Sequence, residues 1–92
     1  MTEKHVHIYI SGFVQGVFFR ANSVRNAKLL GVTGWVKNLP DGRVEIMAEG
    51  NERIIDQMIE WCKKGPRGAK VENIHIENLP YNGEFNDFII HY

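Results

Sequence analysis

Two stretches of the chain carry residue types and spacings suited to chemistry on an anion. Gly12-Phe13-Val14-Gln15-Gly16-Val17-Phe18-Phe19-Arg20 couples two glycines to an arginine, and Asn38 stands just before a Leu39-Pro40-Asp41-Gly42 turn. Glycines let a main chain turn sharply and aim several N–H groups at one point. At a helix start, unpaired amides and the positive end of the dipole reinforce such a cradle. Arg20 adds a planar guanidinium able to bind two phosphate oxygens at once. No Gly-Lys-Ser/Thr follows, so the loop is not of the nucleoside-triphosphate type. On the residues alone, a second reading stays open: a tight loop with geometric glycines and an arginine in a surface ion pair.

The elements around these stretches follow from periodicity. Val6-His7-Ile8-Tyr9-Ile10-Ser11 alternates with period two, a half-buried strand with Val6, Ile8 and Ile10 inward. The composition turns helical from about Phe19 to Leu30, with Val24, Ala27 and Leu30 on the buried side and Gly31 just past the end. Thr33 to Asn38 and Arg43 to Ala48 form a hairpin about the turn. Asn51 caps a second helix whose stripe is Ile55, Met58, Ile59 and Cys62, closed by Gly65-Pro66. Val71 to Glu77 is a further strand, Leu79 to Asp87 a polar loop, and Phe88 to Tyr92 a short terminal strand.

This order predicts an α+β fold of ferredoxin-like βαββαβ type: an antiparallel sheet in spatial order 4-1-3-2, two helices on one face, and a short fifth strand. The first and second strands are then parallel and end at one edge, so the loop after Ser11 faces Asn38 across two strand spacings, about 10 Å. A small anion and a water fit such a gap.

The first of the two stretches resembles the acylphosphatase signature G-x-V-Q-G-V-x-F-R. The second signature is similar to Gly34-Trp35-Val36-Lys37-Asn38-Leu39-Pro40-Asp41-Gly42-Arg43-Val44-Glu45, with Gly50 at the later glycine position. The resemblance runs over nearly the whole chain; Phe13 and Phe18 fall at freely varying positions. It implies hydrolysis of an acyl phosphate to a carboxylate and inorganic phosphate, with no metal and no cofactor. Position by position, it gives phosphate binding to Arg20 and orientation of the attacking water to Asn38. The cradle falls to the backbone amides of Gln15, Gly16, Val17, Phe18, Phe19 and Arg20. Elementary chemistry agrees with such a site. The carboxylate leaving group needs no strong acid, so holding the phosphoryl group, offsetting its charge and placing water in line suffice. Whether the substrate phosphate accepts the proton, or no acceptor is needed early, is open at this stage.

Composition narrows the alternatives. Ninety-two residues, 43% hydrophobic and 24% charged, suit one domain over residues 1–92 with a single core. Eleven basic residues balance eleven acidic ones, unlike the basic excess of proteins that grip nucleic-acid backbones. RNA-recognition domains share the strand–helix order but pair aromatics on two central strands, and Arg43-Val44-Glu45-Ile46-Met47 offers none beside Tyr9. No apolar run reaches membrane-spanning length, and MTEKHVH is no signal peptide. The chain therefore reads as a cytoplasmic protein, expected to be a monomer, with no nucleic-acid partner and no membrane; its small-molecule substrate, an acyl phosphate, is what the resemblance implies. A non-catalytic phosphate or acid binder on the same scaffold is the remaining rival, separated from an enzyme by turnover.

Other residues carry ordinary readings. His5, His7, His75 and His91 are expected on a solvated sheet face rather than around a metal, and Cys62 is a buried hydrophobe. Trp35 is expected in packing, with flanking of the acyl group as its alternative. Lys63, Lys64, Arg67 and Lys70 lie toward the Arg20 edge and complement a helix dipole, or else raise local anion concentration. The Tyr92 carboxylate is expected near Arg20.

Overall fold

A computed structural model describes residues 2–92. The elements are β1 (Glu3–Phe13), α1 (Phe19–Leu30), β2 (Thr33–Asn38), β3 (Val44–Asn51), α2 (Glu52–Lys64), β4 (Lys70–Leu79) and β5 (Phe88–Ile90). β1 lies centrally because it alternates strictly and is long enough to be paired on both sides. Ile8 faces Ile46 on β3 and Ile76 on β4. The sheet order is β4-β1-β3-β2-β5, so the expected 4-1-3-2 arrangement holds. β5 adds at the far edge, parallel to β2 with Gly34 opposite Phe88 and Val36 opposite Ile90, which makes an otherwise antiparallel sheet mixed.

The core forms where the inward sheet positions meet the helices. Val6, Ile8, Ile10, Val36, Val44 and Ile46 pack with Phe19 and Ala27 of α1 and with Ile55, Met58 and Cys62 of α2. Each fully buried Val, Ile, Phe or Met side chain among them contributes roughly 1.5–3 kcal/mol. α2 shows its stripe cleanly, and Asn51 caps it by accepting from the Arg53 N–H at 2.8 Å. In α1 the deeply buried positions are Phe19, Ser23 and Ala27, while Val24 and Leu30 pack at the margin. The Ser23 hydroxyl is satisfied by donating to the Phe19 carbonyl at 2.7 Å, which lets a polar residue occupy an inward site.

One end of the opposite sheet face departs from the solvated surface expected there. His5 is only 4% exposed and Glu49, beside it on β3, 1%. The loop from Pro80 to Asp87 crosses this face to bring the chain from β4 to β5. Glu49 holds the loop by accepting from the backbone N–H groups of Asn82, Gly83 and Glu84 at 3.1–3.2 Å. His5 Nδ1 lies 3.0 Å from the Pro80 carbonyl oxygen and 3.3 Å from Glu49 Oε2. His75 and His91 remain exposed.

Candidate active site

β1 ends in an irregularity that aims the following loop. Its pairing with β4 shifts register between Ser11 and Gly12. Gly12 has φ of 130°, and a Cβ there would lie 2.1 Å from the Lys70 carbonyl oxygen. The loop reaches α1 through Phe18, which caps the helix at φ 60°, ψ 27°. Among the described residues Phe18 is the one non-glycine residue with positive φ, and its side chain is 78% exposed. A left-handed conformation costs a non-glycine residue about 1–2 kcal/mol, and strain of this kind gathers at functional sites. The Phe18 carbonyl accepts from Asn22, from both its backbone N–H (3.0 Å) and its side chain (2.9 Å).

The start of α1 is electrically bare. Its cap makes no side-chain hydrogen bond, and its first turn has no acidic residue. Arg20 projects from that turn, half-buried, with its guanidinium 5.3 Å from the centre of the Tyr92 ring. Among the described residues it forms no ion pair, so the surface-ion-pair reading of this arginine finds no partner. The contact with Tyr92 is through the ring rather than the carboxylate.

Asn38 closes β2 on the same face as the buried Val36. Val14, Gln15, Gly16, Phe18, Phe19, Arg20, Asn38, Ile90 and Tyr92 all line one cavity of about 340 Å³. Val17 packs its side chain against the core instead. Asn38 Oδ1 is buried in this setting with no hydrogen-bond partner. An unmatched acceptor of this kind costs about 1–3 kcal/mol, so it calls for a functional explanation.

The turn after Asn38 is braced. Asp41 accepts from the Arg43 backbone N–H at 3.1 Å and from Arg43 Nε at 2.8 Å. The backbone N–H leads in holding the Asp41 carboxyl below the usual carboxylate range, against partial desolvation. Gln15 reaches this turn from the other side, donating from Nε2 to the Leu39 and Arg43 carbonyls at 2.8 and 2.9 Å. That side-chain bridge has no counterpart in the sequence reading, which placed only the Gln15 amide at the site. Two polar protons facing two carbonyls of a distant turn leave no local pattern to read.

Several tempting residues lie elsewhere. Trp35 points to the opposite sheet face and stacks on His91 at 5.0 Å and 9°, so it does not flank this cavity. Lys70 pairs opposite Phe13 and thus lies at the loop's edge, but Lys63 is bound to Glu60 at 2.9 Å. Lys64 and Arg67 line a separate depression beside Trp61. Among the described residues no group of three His, Cys, Asp or Glu side chains could hold a metal, and no helix is long and apolar enough to cross a membrane.

Fold and cavity together define a class: a ferredoxin-like domain with a pocket built where a bare helix start faces the end of a parallel, non-adjacent strand. Comparison with known proteins makes the class specific. The acylphosphatase family profile matches residues 6–90. An acylphosphatase of Methylococcus capsulatus is 46% identical over 87 residues, covering 95% of each chain. One from Marinobacter nauticus is 49% identical over 88 residues, covering 96% of each. The crystal structure of acylphosphatase from Bacillus subtilis superposes with a TM-score of 0.93 at 37% identity, over 97% of this chain and 99% of that one. The chain belongs to the acylphosphatase family.

Proposed function

We propose that this protein hydrolyses acyl phosphates in the cavity between Arg20 and Asn38, as a metal-independent, cofactor-free cytoplasmic monomer consisting of one domain. The phosphoryl group rests against the backbone amides from Gln15 to Arg20, where the helix start and the guanidinium offset the charge on its equatorial oxygens. A water donates one hydrogen to Asn38 Oδ1 and turns a lone pair toward phosphorus. A new bond forms from the water oxygen to phosphorus as the bond from phosphorus to the acyl oxygen breaks. The electron pair leaves with the carboxylate, and the water's proton ends on phosphate. Among the described residues no carboxylate or imidazole side chain lines the cavity, consistent with the phosphate oxygens serving as acceptor. The leaving group is stable as an anion, so the reaction needs no Lewis acid.

The observation that carries this reading is the buried, unpartnered Asn38 Oδ1 in the same cavity as an arginine free of carboxylates. The test is direct: the purified chain is mixed with acetyl or benzoyl phosphate in the presence of a chelator, and loss of substrate is followed. Sustained turnover with release of inorganic phosphate is expected. Tight phosphate binding without turnover would instead mark a non-catalytic binder.

A further inference from the structure

We infer that the side chain of Gln15 is a positioning residue that sets Asn38 against the phosphate cradle, an inference that rests on the roles proposed above for Arg20 and Asn38. The sheet fixes Asn38 only against the end of β1, since Ile10 and Asn38 both pair with Val44 on β3. The cradle begins beyond β1, in the loop to α1, two strand spacings or about 10 Å from Asn38, where no ladder holds it. Gln15 spans the gap. One Nε2 hydrogen goes to the Leu39 carbonyl at 2.8 Å and the other to the Arg43 carbonyl at 2.9 Å. Leu39 directly follows Asn38, and Arg43 directly precedes Val44, the partner of Asn38 in the β2–β3 register.

Both carbonyls also serve the turn itself: Leu39 N–H donates to the Arg43 oxygen at 2.8 Å, and Gly42 N–H to the Leu39 oxygen at 3.1 Å. Gln15 takes the second acceptor position of each and completes a closed set of four hydrogen bonds. Among the described residues no other hydrogen bond joins residues 14–18 to the 38–43 turn. The residue type follows from this geometry. An uncharged side chain with two hydrogens on one planar nitrogen meets two carbonyls at once, whereas a carboxylate would set oxygen against oxygen. Because Gln15 contributes its main chain to the loop and its side chain to the turn, any drift of one half of the site against the other stretches these two bonds.

The experiment is a double-mutant cycle read on three quantities: kcat with benzoyl phosphate, KM, and affinity for inorganic phosphate by calorimetry. Gln15→Met keeps length and removes both donors; Gln15→Asn keeps the amide but falls a methylene short. Each is expected to lower kcat about 10- to 100-fold, the size of a misplacement near 1 Å, with phosphate affinity within about threefold. In an Asn38→Ala background the Gln15 change is expected to cost nothing further, because it acts through Asn38. Unchanged kcat, a parallel fall in phosphate affinity, or full multiplication of the two losses would overturn the inference. An Asn38→Ala protein turning over at the wild-type rate would overturn the Asn38 assignment itself and the inference with it.

Discussion

Arg20 and Asn38 are recognisable in the sequence because each is anchored to punctuation that a chain cannot disguise: a glycine-rich strand exit before Arg20 and a Pro-Asp-Gly turn after Asn38. Their meeting in one cavity follows from the parallel run of β1 and β2. Their states are only partly legible. The approach of Tyr92 to Arg20 is expected from the returning last strand, but that its ring makes the contact, and that Asn38 Oδ1 is buried alone, depends on packing in three dimensions. Cys62 shows the opposite case, a residue whose environment its helical spacing foretold. Burial pushes its thiol up from the ordinary value of 9.0 to about 12. Above pH 9 the unfolded chain therefore releases this proton while the folded chain keeps it, so the fold loses stability as pH rises from about 9 toward 12. Two outcomes are expected. A disulfide reagent at pH 8 leaves native Cys62 unmodified but labels it promptly in denaturant, and Cys62→Ala flattens the alkaline fall in the unfolding midpoint. Rapid labelling of the native protein would show the thiol to be exposed.

At the scale of elements, the loop between β1 and α1 is aimed by backbone constraints that side-chain patterns do not report. The alternation of Val6 to Ile10 predicted β1, and the stripe of α2 predicted its packing, since both depend on burial with a fixed period. The register shift at Gly12 has no such period. A glycine in a sequence marks freedom but not which neighbour demands it. Here the neighbour is β4, whose Lys70 carbonyl and Glu72 N–H would lie 2.1 and 2.8 Å from a Cβ at position 12. At Gly16, φ is 77° but nothing lies within 4 Å of a Cβ. Gly12→Ala is therefore expected to destabilise the fold by about 3 kcal/mol or more, and Gly16→Ala by only about 1 kcal/mol from its backbone conformation. Denaturant unfolding of the two variants checks this. Equal losses would mean that the close approach of β4 does not constrain the loop.

For the whole molecule, the same logic explains why the opposite sheet face was the least legible region. His5, next to the core residue Val6, reads as solvated, and the return of the chain from β4 to β5 buries it together with Glu49. That crossing also delivers Ile90 and Tyr92 to the cavity, so the Glu49 anchor and the candidate site share one structural support. Glu49→Ala leaves three backbone N–H groups without their acceptor and is expected to cost about 2–4 kcal/mol, with faster amide exchange at Asn82, Gly83 and Glu84. Stability and exchange equal to wild type would show that the loop is held by other contacts.

The proposed division of labour between cradle and water site is tested most directly by measuring inorganic-phosphate affinity and kcat side by side for Arg20→Ala and Asn38→Ala. Arg20→Ala is expected to lose both, by about 2–4 kcal/mol for a charge-assisted donor. Asn38→Ala is expected to retain phosphate affinity and lose turnover. An Asn38→Ala protein with wild-type kcat, or an Arg20→Ala protein that binds phosphate as tightly as the parent, would contradict the account.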